Sequence, residues 1–151
     1  MRVYVAGAAV EIDHAKLVIF ELIRAGHTIT HDWTKQVEVE FAAAPDRKEN
    51  ELPDDDCNRW SDADLAGVGL ADAFVLIAPG GRRGRGSWVE LGYAINEARQ
   101  RRYTSSPLRL YVIGPYARDS IFTRATPRST IYQSPLPEAI AALLRDLSWS
   151  D

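Results

Sequence analysis

Apolar residues fall along the chain in short blocks separated by amphipathic stretches. Val3-Tyr4-Val5-Ala6-Gly7 is one such block, Ala73 to Ala78 (AFVLIA) is the strongest, and Leu108 to Ile113 (LRLYVI) is closed by Gly114-Pro115. Continuous apolar runs of this length predict strands buried on both faces. Two weaker segments, the β-branched His27 to Trp33 (HTITHDW) and Thr130-Ile131-Tyr132, complete a set of five strands. Helical periods lie between them. The first runs from about His14 to Ala25, with Asp13 as its cap and Gly26 as its stop. Others run from about Ser61 to Leu70, from Ser87 to about Arg101, and from Pro137 to about Leu147, where the proline occupies a tolerated first-turn position. From Thr34 to Asn58 the pattern fails. That stretch carries Glu38, Glu40, Asp46, Glu49, Glu51, Asp54, Asp55 and Asp56 together with Pro45 and Pro53, and reads as a lid or wall with room for a short helix. Alternating strands and helices predict a single α/β domain over residues 1–151, its parallel sheet covered on both sides. Ligands in such folds bind beyond the carboxyl ends of the strands, where the loops after Gly7, Trp33 and Ala78 would meet.

Composition narrows the picture. A chain of 151 residues, 46% hydrophobic, suits one compact core, and a net charge of −3 argues against a nucleic-acid surface. The single cysteine, Cys57, excludes an internal disulfide, fits a reducing compartment and is expected as a small buried apolar residue. The opening MRVYVAGAAVEID is too short an apolar run for a signal peptide or a membrane span, so a soluble cytoplasmic protein with no membrane partner is expected.

The candidate chemistry centres on GRRGRGSWVELGYA, Gly81 to Ala94. Arg82, Arg83 and Arg85 lie in a glycine-rich loop that leads through Gly86 and Ser87 into a helix, where guanidinium groups, amides and the helix dipole suit a phosphate. The P-loop order is absent, and Gly7-Ala8-Ala9 is not a dinucleotide fingerprint. Glu90 has two readings. Ser87-Trp88-Val89-Glu90 fits a capping box, in which Glu90 turns back onto the Ser87 amide. Alternatively Glu90 is a carboxylate at the ligand end of the sheet, available as a nucleophile. Trp88, Leu91, Gly92, Ile95 and Ala98 follow the spacing of a buried stripe on the same helix. Asp64 poses the same choice. Ser61 to Asp64 makes a weaker capping box with Trp60 and Leu65 as a hydrophobic staple, yet Asp64 shares a helical face with Trp60 and Val68, where burial would suit a general acid. Asp62 and Asp72 read as surface or cap residues. His27 and His31 share one side of a strand, but no acid or cysteine sits at ligand spacing, so no metal site is predicted. No nucleophile elbow is present.

Three motifs in order, Tyr4-Val5-Ala6-Gly7, Asp64-Leu65-Ala66-Gly67-Val68 and Gly86-Ser87-Trp88-Val89-Glu90-Leu91-Gly92, resemble the nucleoside 2-deoxyribosyltransferase family over about residues 3 to 98. The G-S-x-x-E-x-G run is the most specific of them. The resemblance implies a flavodoxin/Rossmann-like three-layer sandwich with a mainly parallel five-stranded sheet, and cleavage of the N-glycosidic bond of a nucleoside or nucleotide. Glu90 would attack C1′ of the sugar and form a glycosyl ester, Asp64 would protonate the departing base, and Tyr4 would hold Glu90 by a hydrogen bond. A second nucleobase, or water, would then take the sugar. Gly7, Ala8, Trp33, Arg82, Arg83, Arg85, Gly86 and Ser87 are the expected substrate-binding residues, with no cofactor and no metal. The expected partners are a nucleoside or nucleotide, a free nucleobase and further copies of the chain in a homo-oligomer. The sequence also departs from the family. Gly84 stands six positions before Glu90, where several transferases carry an acid, and an asparagine that some members supply from a neighbouring subunit has no clear counterpart, Tyr132 or Gln133 being the nearest substitutes. Arginines in place of an acid favour a 5′-phosphate. Transfer of 2-deoxyribose is therefore the leading expectation, hydrolysis of a nucleoside 5′-monophosphate the second, and a nucleotide-binding or sensing module without turnover the third.

Overall fold

A computed structural model describes residues 1–44, 51–80, 85–120, 123–124 and 129–148. Strand β1 (Arg2–Ala6) leads through a 3-10 turn (Ala9–Glu11) into helix α1 (Ile12–Arg24), which is followed by β2 (Thr28–Ile29), α2 (Thr34–Ala43) and α3 (Asp54–Leu70). Then come β3 (Ala73–Ile77), α4 (Arg85–Gln100), a 3-10 turn (Arg101–Tyr103), β4 (Arg109–Ile113), β5 (Ser129–Tyr132) and α5 (Leu136–Ser148). The five strands pair in parallel in the order β2-β1-β3-β4-β5. Helices α1 and α5 cover one face, α3 and α4 the other. This is the expected three-layer α/β sandwich. The chain reverses its direction of progress across the sheet between β1 and β3, so the crevice of an open α/β sheet opens at their carboxyl ends.

The apolar blocks form the core as their pattern requires. Val3 to Ala6 and Ala73 to Ile77 are buried on both sides, and the ring of Tyr4 lies parallel to that of its cross-strand partner Phe74, centroids 6.0 Å apart. Asp72 belongs to a surface pair. Its carboxylate accepts two bonds from the Arg2 guanidinium and one from the Arg2 amide, tying the start of β1 to the start of β3.

Four expectations are corrected. The second strand, predicted over 27–33, is only two residues long. It sits at the sheet edge, where Thr30 adds one amide bond to Val3 before the chain turns at Asp32, whose carboxylate accepts the Thr34 hydroxyl at the start of α2. The segment 34–58 holds the short helix α2 in its first part, but α3 begins within it at Asp54 and not at Ser61; residues 45–50 lie outside the described residues. Helix α3 starts early because Pro53 precedes it and Asp54, Asp55 and Asp56 place negative charge against the positive end of its dipole. Ser61 is therefore in mid-helix, its hydroxyl bonded to the Asn58 carbonyl, and the capping box and staple assigned to Ser61–Leu65 do not exist. Cys57, expected to be buried, is exposed on the solvent-facing opening turns of α3. Among the described residues no helix is long and apolar enough to cross a membrane.

One close approach fixes α3 on the sheet. A Cβ at Gly67 would fall 2.7 Å from His31 Cβ and 2.9 Å from the Tyr4 ring, contacts that real side chains do not make. Only a hydrogen fits there. Gly67→Ala should lower the unfolding free energy in a urea titration by about 1–3 kcal/mol through overpacking. Gly69→Ala, whose methyl would meet nothing nearer than the Tyr93 hydroxyl at 3.7 Å, should leave it unchanged or slightly higher. Equal losses in the two variants would contradict this packing.

Candidate active site

Three elements on one side of the sheet each contribute one polar group. Tyr4 comes from β1, a strand otherwise apolar, Asp64 from α3 and Glu90 from α4. Helices α3 and α4 pack against each other and against β1, so the Tyr4 ring lies buried beneath them while its hydroxyl reaches the seam between them. The hydroxyl oxygen stands 2.9 Å from Asp64 Oδ1 and 2.8 Å from Glu90 Oε1.

Proton counting limits what this arrangement can be. A tyrosine hydroxyl carries one hydrogen, so it can donate to only one of the two carboxyl groups. If the other contact is also a hydrogen bond, that carboxyl must carry a proton and donate to the Tyr4 oxygen. Burial agrees. Desolvation first, and the neighbouring charge of Asp64 second, push the Glu90 carboxyl up to about 7, against the opposing hydrogen bond from Tyr4. The Asp64 carboxyl is also raised, chiefly by burial, with the Tyr4 hydrogen bond and the nearby His31 acting in the other direction. Tyr4 itself is held protonated by burial and by both carboxylates, so it acts as a donor and not as a base. The pair thus suits a state in which two carboxyl groups share one proton across a hydroxyl.

His31 adjoins this chain. It follows β2 at the carboxyl end of the sheet, and its Nε2 lies 3.5 Å from Asp64 Oδ1. That nitrogen is buried and has no hydrogen-bond partner among the described residues. The sequence reading missed the contact because it sought partners at local ligand spacing, whereas Asp64 is far along the chain on another element. The available signal was position: a histidine just past a strand, at the ligand end.

The capping-box reading of Glu90 does not fit the helix bounds. Helix α4 begins at Arg85, so Ser87 lies inside its first turn, buried, and Glu90 falls in the second turn with Oε1 against Tyr4. The core-facing residues of α4 are Ser87, Leu91 and Ala94, while Gly92 of the expected stripe is exposed. Trp88, Leu91, Gly92 and Ile95 instead line an apolar groove with Ser120. Helical spacing puts that groove on the flank of α4 turned away from Glu90.

The expected substrate-binding residues other than Ser87 are placed differently from one another. Arg85 and Gly86 are exposed at the start of α4, whereas Arg82 and Arg83 lie outside the described residues. Gly7 is half-buried just past β1, and a Cβ on it would meet Trp33 at 3.6 Å. Ala8 and Trp33 are buried, and the Trp33 indole N–H donates to the Val5 carbonyl at 2.8 Å, so Trp33 supports the loop from beneath and has no donor left for a ligand.

Among solved structures the chain is similar to a CMP N-glycosidase from Clostridium botulinum, BcmB, with a TM-score of 0.53 and 14% identity over 99% of this chain and 98% of that one. The likeness is one of fold. No protein-family model and no curated protein matches the sequence.

The raised Glu90 carboxyl has a thermodynamic signature. Its native value, about 7, lies above the ordinary 4.5, so the stability gained from the buried neutral acid is fully present below 4.5 and is lost as pH rises through 7. Glu90→Gln stays neutral throughout. Chemical denaturation should show the variant and the parent equally stable near pH 4, and the variant more stable at pH 8 by on the order of 2 kcal/mol. A difference independent of pH would contradict a buried, proton-holding Glu90.

Proposed function

We propose that this protein cleaves the N-glycosidic bond of a nucleoside or nucleotide through a glycosyl ester on Glu90. The observation that carries the reading is the Tyr4 hydroxyl set between Asp64 and Glu90. One hydroxyl touching both, at 2.9 and 2.8 Å, keeps an oxygen of each carboxyl group near the other, which supports the close pairing of retaining glycosidases, about 5–5.5 Å, over the wider gap that inverting enzymes need for a water. An oxygen of ionised Glu90 attacks C1′ on the face opposite the base. The C1′–N bond breaks, its electron pair stays on the base nitrogen, and Asp64 supplies the proton. The shared proton makes this division of roles attainable. Exchanging the two hydrogen bonds of Tyr4 moves it from one carboxyl to the other, and an electron-poor C1′ at Glu90 with a basic nitrogen at Asp64 draws it to Asp64.

In the second half the acceptor gives its proton to Asp64, bonds to C1′ and releases Glu90. The sequence resemblance favours a second nucleobase as acceptor, transferring 2-deoxyribose, and a homo-oligomeric protein. Hydrolysis of a nucleoside 5′-monophosphate is the second reading. It is favoured by Arg82, Arg83 and Arg85 ahead of the α4 N-terminus, a sequence suited to phosphate, and by the nucleotide substrate in the name of the structural neighbour.

Intact-mass spectrometry on the protein mixed with deoxynucleosides, ribonucleosides and their 5′-monophosphates tests the reaction. A pentose-sized or pentose-phosphate-sized adduct should map to Glu90 and be absent in Glu90→Gln, whose turnover should fall by about 10³-fold or more. Addition of a foreign free base should yield a new nucleoside if the acceptor is a base, and free sugar or sugar phosphate alone if it is water. Nucleotide binding that survives in both proteins without turnover would overturn the catalytic reading in favour of a sensing module.

A further inference from the structure

We propose that His31 is a positioning residue for Asp64, whose Nε2–H donates to the Asp64 carboxylate as that group gives its proton to the departing base. The proposal rests on the reading of Asp64 as the acid. A buried ring nitrogen without a partner is destabilising, and a fold seldom keeps one without a use for it. Here the nitrogen faces a carboxyl oxygen at 3.5 Å, longer than a hydrogen bond. The contact is slack as it stands. As the proton passes from Asp64 to the base, the same N–H can close to the about 2.7–2.9 Å of a charge-assisted bond. A donor set beforehand where charge will develop is the arrangement that lowers a barrier without reorganisation.

The surroundings hold the ring to this task. His31 Nε2 and the Tyr4 hydroxyl both address Oδ1 of Asp64. Helix α3 is seated so closely that Gly67 lies against His31 Cβ, and this packing sets the distance between the imidazole and Asp64 on the same helix. The protons balance. The base takes its proton from Asp64, His31 keeps its own, and Asp64 recovers one from the acceptor when the Glu90 ester breaks.

Two substrates and two variants test the role. An ordinary nucleoside or nucleotide needs a proton on its leaving base, whereas a nucleoside with an N-methylated, cationic base departs without one. His31→Leu should lower kcat on the ordinary substrate by about 10- to 100-fold, a share of the 10²–10⁴ that a general acid supplies, with KM changed less than about threefold. It should leave turnover of the methylated substrate within about threefold. His31→Gln, whose amide N–H reaches the place of Nε2, should retain most of the lost rate. Equal losses on both substrates, or a glutamine variant as slow as the leucine one, would overturn the proposal. A parent protein that turns over neither substrate would instead overturn the N-glycosidase reading. Imidazole ¹⁵N shifts give an answer independent of turnover: the Nε2–H tautomer is expected, and an Nδ1–H tautomer with Nε2 accepting from Asp64 would overturn the proposal.

Discussion

One buried hydroxyl proton faces two carboxyl groups, and the surrounding structure is arranged to keep it there. Tyr4 can neither ionise nor turn away, because its ring is locked between the sheet and two helices and stacked on Phe74. Two ionised carboxylates against one donor would leave a repulsive contact in a desolvated seam. The pair is therefore stable with one proton between its members, which is also the state that a nucleophile and an acid require together.

The fold supplies what that arrangement needs. Strand β1 is internal in the sheet, flanked by β2 and β3, and its Tyr4 lies on the face covered by α3 and α4. Each helix then offers a single carboxyl group at the seam. The tolerance is small, since even a methyl group at Gly67 would separate α3 from Tyr4 and His31. Asp64 and Glu90 are partly desolvated by this packing, and the energy spent in burying them is what raises both carboxyl groups.

Much of the architecture was legible in the chain. Val3 to Ala6, Ala73 to Ile77 and Leu110 to Ile113 are apolar without interruption because they are covered on both faces, and the parallel sheet follows from that pattern. The edge was harder to read. Thr28–Ile29 is too short to carry a period, and His31 and Trp33 beyond it leave the strand for the site and the core. Serines misled twice. Ser61 and Ser87 both fit N-cap patterns, yet Pro53 with three aspartates starts α3 earlier and α4 begins at Arg85. Tyr4, Asp64 and Glu90 were legible as candidates from motif order. Their meeting point was not, because nothing local in the sequence relates a strand residue to two helices far along the chain, and His31 stayed hidden for the same reason.

Carboxyl carbons report directly where the protons of the pair reside. A pH titration of the ¹³C carboxyl resonances of Asp64 and Glu90, assigned with Asp64→Asn and Glu90→Gln, should show two coupled steps, with one proton still held by the pair near neutrality. Loss of both protons near pH 4, each independent of the other residue and of Tyr4→Phe, would contradict the account.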